Sequence, residues 1–202
     1  MNSNRLALIT VAPIALMAML AGCAPPVAAT TGTPAAPSVT RTTASTAGSH
    51  NEADTTFAQM MVIHHEGAIE MATLAERDAS SSEVRSLAGR IRAAQGPEID
   101  QMRGWLQEWG EPAPEDSDMA GMDHDGMEMG GLDQQAAMDQ LMKLNGEAFD
   151  ETFLTLMIQH HQGALTMANQ EVARGENTQA VALAKSIISA QQKEIAEMQA
   201  LS

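Results

Sequence analysis

The chain contains one phrase twice: FAQMMVIHHEGAIEMA at residues 57–72 and FLTLMIQHHQGALTMA at residues 153–168. Both copies carry Met, His-His, Gly-Ala and Met in the same order, and the offset from Phe57 to Phe153 is 96 residues. The same offset superposes residues 87–102 on residues 183–198 without a gap. A duplication of about 50 residues is too long for a solenoid unit and predicts two αα-hairpins.

Four helical segments are predicted outward from the two phrases, at about 52–77, 82–109, 133–174 and 177–202. The third has a candidate break at Asn145-Gly146. No stretch shows the two-residue alternation of β-branched residues that is typical of a strand. We therefore predict an all-α, ferritin-like four-helix bundle made of two duplicated hairpins.

The front of the chain has the pattern of a lipoprotein signal peptide at residues 1–22. Arg5 precedes an apolar stretch that is shorter than a spanning helix requires, and Leu20-Ala21-Gly22-Cys23 follows it. This pattern predicts that Cys23 is the acylated first residue of the mature protein. The alternative is an uncleaved membrane anchor. Residues 23–51, rich in Ala, Thr and Pro, predict a flexible tether.

The folded domain is expected at residues 52–202, with repeat 1 at about 52–106 and repeat 2 at about 148–202. A Gly-rich acidic loop at about 110–132 joins the repeats. The formal net charge of -15 argues against nucleic acid and anionic lipid as partners and favours the attraction of cations. Few aromatic residues and 16 methionines predict a core of thioether and aliphatic groups.

Helical phasing predicts which side chains of the repeats face inward. The first phrase buries Phe57, Met61, His64, His65, Ala68, Met71 and Ala72, and the second buries Phe153, Met157, His160, His161, Ala164, Met167 and Ala168. The partner helices aim Gln95, Glu98 and Met102 at the core in one half, and Gln191, Glu194 and Met198 in the other. A buried carboxylate is costly unless it has a partner, so Glu98 and Glu194 are expected to pair with inward imidazoles. A His-Glu pair that serves only structure is the alternative to a functional one.

The methionines before the histidines bear on the choice of metal. Carboxylate-bridged di-iron bundles use Glu-x-x-His, whereas Met61 and Met157 stand three residues before His64 and His160 here. Thioethers favour cuprous ion over iron or manganese. Met61, Met71, Met157 and Met167 are therefore candidate copper ligands with the four histidines, and plain core packing is the competing interpretation.

The acidic loop between the repeats is a second candidate copper site. Its methionines stand among Gly and acidic residues, where no helix core would need them. Gly spacing would let the chain fold around an ion. The candidate ligands in the loop are Met119, Met122, His124, Met127 and Met129. A flexible acidic linker is the alternative.

The paired His-His-x-Gly-Ala phrases, the Met-rich linker and the Ala-Gln-x-x-Glu-Ile-x-x-Met endings at 94–102 and 190–198 resemble the family catalogued as domain of unknown function 305. The resemblance covers about residues 52–202. It implies a ferritin-like bundle that is often secreted or lipid-anchored, and in some members a role in copper binding and resistance. The halves differ, since Gln162 replaces Glu66 and Thr166 replaces Glu70.

The sequence thus predicts an extracytoplasmic, lipid-anchored protein that sequesters copper or transfers it to envelope proteins that handle copper. Cu(I) is favoured, with Cu(II), silver or zinc as further candidate ions. Three alternatives stay open: a metal-free envelope interaction module, a bundle that oxidises a metal or small substrate, and a b-type haem protein. No catalytic residues are predicted, because the chain has no Tyr and its one Cys is the predicted lipidation site.

Overall fold

The computed structural model describes residues 48–114 and 133–202, and its elements are helical. The helices are α1 Glu52–Asp78, α2 Ser82–Trp109, α3 Gln134–Leu141, α4 Gly146–Arg174 and α5 Thr178–Leu201. Within these two ranges there is no β-strand, only an isolated bridge between Ala79 and Gly146. The predicted signal peptide, Cys23, most of the tether and the loop residues Met119, Met122, His124, Met127 and Met129 lie outside the described residues.

The helices form two hairpins, α1 with α2 and α4 with α5, joined mainly through α1 and α4. This confirms the predicted all-α bundle of duplicated hairpins. The predicted third helix is two helices, because the chain leaves helical geometry after Met142 and Gly146 takes a positive φ of 61°. Only glycine adopts such a backbone at little cost, so the Asn145-Gly146 break is a property of the sequence. The short α3 packs on α4.

Side-chain caps fix the starts of three long helices. The carboxamide oxygen of Asn51 accepts hydrogen bonds from the backbone amides of Ala53 and Asp54, and the Asp54 side chain accepts one from the backbone amide of Asn51. The side chains of Ser81 and Asn177 likewise accept from backbone amides at the starts of α2 and α5. Each cap satisfies amide donors that a helix leaves without intrahelical partners. The end of α2 is set by Gly110, whose φ is 74°.

The core contains two methionine clusters. Met71, Met157 and Met198 belong to one hydrophobic cluster. Met61, Met102 and Met167 belong to the other. The 96-residue offset turns each trio into the other, so α1 and α4 run antiparallel and a pseudo-twofold axis relates the hairpins. None of the described helices is both long and apolar enough to cross a membrane.

Each hairpin has one buried aspartate that binds the interhelical turn of the other hairpin. Asp150 of α4 accepts from the amides of Ser80 and Ser81 at 2.9 and 2.8 Å. Its counterpart Asp54 of α1 accepts from the amides of Glu176 and Asn177 at 3.1 and 2.9 Å. The repeat therefore places one carboxylate under each interhelical turn.

Candidate metal centre

The four repeat histidines lie in the middle of the bundle, between the two methionine clusters. His65 and His161 are fully buried, and His64 and His160 are 3% exposed. The rings of His64 and His160 meet across the pseudo-twofold axis, with centroids 3.6 Å apart and planes inclined by 49°. The prediction that these side chains face inward is confirmed.

The other two histidines each bind a carboxylate on their own hairpin. Nε2 of His65 lies 2.8 Å from Oε2 of Glu98, and Nε2 of His161 lies 2.8 Å from Oε2 of Glu194. The predicted pairing of imidazole with carboxylate is thus observed. The sequence predicted deeply buried glutamates, but the side chains of Glu98 and Glu194 are 22% and 20% exposed. Water reaches the carboxylates at the bundle edge and reduces the cost of their charge.

The pairing fixes the orientation of these imidazoles. A carboxylate accepts from Nε2–H, so a neutral ring carries its lone pair on Nδ1. The Nδ1 atoms of His65 and His161 are buried and have no hydrogen-bond partner. Metal-bound histidines in proteins commonly donate their other N–H to a carboxylate, which orients the ring and raises its basicity. The residues present therefore fit a metal bound through Nδ1.

Burial lowers the pKa of His160 well below its ordinary value, and repulsion from the other three histidines adds to this effect. A hydrogen bond with the backbone of His64 opposes the shift. The Nδ1 atom of His160 is also buried without a hydrogen-bond partner. The ring is thus neutral around pH 7, which is the state that binds metals.

An open cleft of about 370 Å³ reaches the His64–His160 contact from one side of the bundle. Its described lining residues are Ile63, His64, Glu66, Gly67, Glu70, Gln134 and His160. Gln134 of α3 donates to the carbonyl of Gly67 at 3.0 Å and to Glu70 at 3.2 Å. Arg103 donates to Glu66. The equivalents Gln162 and Thr166 carry no charge, so the acidic cleft belongs to the first repeat.

Buried amides add acceptors near the carboxylates. Gln95 and Gln191 are each 3% exposed, and their Oε1 atoms have no hydrogen-bond partner. They stand one turn before Glu98 and Glu194 on the same helices, as predicted. The histidine layer is therefore polar on several sides, with acceptors left for a donor or a cation.

The structure separates the predicted ligands into groups. The methionines Met61, Met71, Met102, Met157 and Met198 are fully buried in the two clusters. The described lining of the cleft contains no methionine. Within residues 48–114 and 133–202, no three His, Cys, Asp or Glu side chains converge to hold a metal ion. A core copper site would need a thioether or a rearrangement of the imidazoles to complete its coordination.

Met60 and Glu171 were missed by helical phasing of the repeat. Both are buried and line a second cavity together with Met167. Their repeat equivalents are Leu156 and Ala75, so a comparison restricted to matching positions discards them. The available signal was the mismatch itself, a lone Glu where the other copy has Ala.

The fold and site define an all-α bundle of two duplicated hairpins whose equivalent histidines meet in the core. The chain belongs to the family described as domain of unknown function (DUF305), whose profile matches residues 54–202. The family prediction is confirmed. No match was found among the curated proteins.

Solved structures share this fold. A DUF305 protein from Streptomyces coelicolor, described as a predicted secreted protein, is 34% identical, with a TM-score of 0.65 over 74% of this chain and 89% of that one. A DUF305 fragment from Deinococcus radiodurans is 28% identical, with a TM-score of 0.66 over 76% and 97%. CopM in its Cu(II)-bound form is 33% identical, with a TM-score of 0.61 over 73% and 94%. CopM has also been solved in Cu(I)-bound and Ag-bound forms.

Proposed function

We propose that this protein binds copper ions on the outer side of the cytoplasmic membrane and sequesters them or passes them on. The observation that carries the proposal is the histidine layer: His65 and His161 are oriented by carboxylates with Nδ1 unpartnered. His64 and His160 stand beside them at an acidic cleft. The carboxylates of Glu66 and Glu70, which line this cleft, would concentrate cations at its entrance.

The donor types support copper over harder metals. Imidazole serves both copper oxidation states, and the flanking thioethers favour Cu(I). CopM, which shares the fold, was solved with Cu(II), Cu(I) and Ag bound. We infer the same class of cargo here, with the copper as substrate of a binding protein. Zinc, which has no need of thioethers, is the less favoured ion.

The Met and His residues of the acidic loop are proposed as a second ligand set. They lie outside the described residues, so their role rests on composition: four thioethers and one imidazole among acidic groups. Replacing Met119, Met122, Met127 and Met129 by Leu should lower the number of Cu(I) ions bound while the histidine layer keeps its own. Unchanged stoichiometry would contradict a role for the loop.

The site of action is proposed to be the membrane surface, through acylation of Cys23. The support is the lipobox pattern in the sequence and the related Streptomyces coelicolor protein, which is described as a predicted secreted protein. Cys23→Ser should move the protein from the membrane fraction to the soluble extracytoplasmic fraction. Retention of this variant in the membrane would favour the uncleaved anchor.

A Cu(I) titration of the full chain against a competing chelator tests the proposal. The variant replaces His64, His65, His160 and His161 by Asn, which keeps polar groups in the layer. His50→Asn is the matched control, because His50 lies outside the layer and binds Glu111. We expect the fourfold variant to lose tight core binding and the control to keep it, with equal helix content by circular dichroism. Wild-type binding weaker than micromolar would contradict the proposal and leave the metal-free interaction module.

Binding without turnover is part of the same proposal. Oxygen uptake in the presence of Cu(I) or Fe(II) distinguishes it from an oxidase. We expect no uptake above the rate of the free ions. Steady consumption that the fourfold variant lacks would instead establish a metal oxidase.

A further inference from the structure

A second cavity, of about 330 Å³, lies between the start of α1 and the end of α4. Its walls include the thioether side chains Met60 and Met167 and the ring of Phe57. Glu171 also lines it. The cavity therefore combines soft sulfur donors with the carboxylic side chains of Glu52 and Glu171, and its lining includes no histidine among the described residues.

Glu171 has an unusual environment for a carboxyl group. It is 1% exposed, and neither of its oxygens has a hydrogen-bond donor as partner. Burial, followed by a hydrogen bond that its protonated carboxyl group donates to Asp54 and by the negative charge of Asp54, raises its pKa to about 8. A carboxyl group in this setting holds a proton unless a cation replaces it.

The neighbours of Glu171 do not supply that cation. Asp54 is already engaged by the amides of Asn51, Glu176 and Asn177 and adds negative charge. Arg174 and Glu52 also line the cavity, but Arg174 forms no ion pair with Glu171 in the described part of the chain. The missing side chain at Gly175 makes room for the carboxyl group itself, because a Cβ there would overlap Glu171 Oε1.

We propose that this cavity is a second binding site for a soft monovalent cation, Cu(I) or Ag(I), held by the thioethers of Met60 and Met167 and the carboxylate of Glu171. Thioether sulfur selects these ions over hard cations. The carboxylate neutralises the charge of the ion, which a buried site requires. On binding, the Glu171 O–H bond breaks, the proton leaves to water, and the oxygen binds the metal, so total charge is conserved.

The duplication suggests the substitutions, because each of these two residues has a different side chain at the equivalent position of the other repeat. Leu156 is the equivalent of Met60, and Ala75 is the equivalent of Glu171. The site consequently has no counterpart at the equivalent positions of the described bundle and is independent of the histidine layer. Met60→Leu and Glu171→Ala copy side chains that the same fold already accepts at equivalent positions.

Titration of the full chain with Ag(I), followed by native mass spectrometry and by proton release in weak buffer, tests the site. We expect Met60→Leu and Glu171→Ala each to bind one Ag(I) fewer than wild type, and the proton released with that ion to disappear. Met142→Leu, at an exposed methionine, is the matched control and should keep wild-type stoichiometry.

The histidine variant separates this site from the proposed copper layer. The fourfold His→Asn variant should retain the ion at Met60, Met167 and Glu171 together with its proton release. Wild-type stoichiometry in both Met60→Leu and Glu171→Ala would overturn the second site and leave the histidine layer untouched. Loss of that ion in the fourfold variant would overturn the independence of the two sites.

Discussion

Nε2 of His65 lies 2.8 Å from Oε2 of Glu98, and the repeat reproduces the same contact and distance between His161 and Glu194. One carboxylate in each half thus directs the lone pair of a buried imidazole toward the core. The contact orients a ligand and also stabilises the hairpin, and these two roles are separable by experiment.

Replacing Glu98 and Glu194 by Gln should weaken copper binding about 10- to 100-fold, because the neutral amide orients the imidazole less firmly than the carboxylate does. The stability cost should be no more than about 1–3 kcal/mol, since the amide oxygen still accepts from Nε2–H. Competition titration gives the affinity and urea unfolding gives the stability. Glu108→Gln, at an exposed position of α2, is the control. Equal affinities would assign the carboxylates to structure alone.

The contribution of His160 to the unfolding free energy of the apo protein should fall as the pH drops below about 6.5. The pKa of His160 is lowered in the folded state, by burial and then by the other three histidines, so the unfolded chain binds the proton more tightly. The stability that His160 contributes therefore rises with pH up to its ordinary pKa and then levels off. His160→Asn should flatten this dependence in urea unfolding at pH 5.5 and 7.5, and an unchanged slope would contradict the assignment.

Glu171 should produce the opposite dependence. Its folded pKa is raised from 4.5 to about 8, so the folded state binds more protons between these values. The unfolding free energy then decreases with rising pH across this window, by up to about 1.4 kcal/mol per pH unit, and is level above it. Charges facing the group are those of Asp54, Glu52 and Arg174. Glu171→Gln should remove the slope and stabilise the protein at pH 8, and a decrease in stability there would contradict the prediction.

Asp150→Ala should destabilise the fold by about 3 kcal/mol. The variant leaves the amides of Ser80 and Ser81 and the hydroxyl of Ser80 without their acceptor at a partly buried turn. Asp100→Ala, at an exposed position of α2, should change stability little. Urea midpoints at pH 7 measure both, and equal losses would mean that the turn does not depend on its carboxylate.

The duplication carried most of what the sequence could predict. It identified the faces of α1 and α4 and the pairing of His65 with Glu98, because helical period and the cost of a buried charge are local properties. The depth of Glu98 was overestimated, since phasing gives a direction but not the distance to solvent.

Contacts between the two hairpins could not be predicted from helical period or from the cost of a buried charge. Asp54 and Asp150 matched in the repeat, yet their acceptor role depends on a turn about 70 residues or more away in sequence. Met60 and Glu171 were not predicted as site residues for a related reason. They line the same cavity only because α1 and α4 run antiparallel. A tertiary crossing decides that proximity, and no periodicity encodes it.

The His64–His160 contact joins one position of the repeat to its own counterpart. Each hairpin therefore contacts the other through the same surface. A symmetric homodimer has this geometry, and here it occurs within a single chain. In such a dimer every substitution would be made twice. Fusion removes that constraint, so the first copy can carry Met60 and Glu66 where the second has Leu156 and Gln162, and the second can carry Glu171 where the first has Ala75.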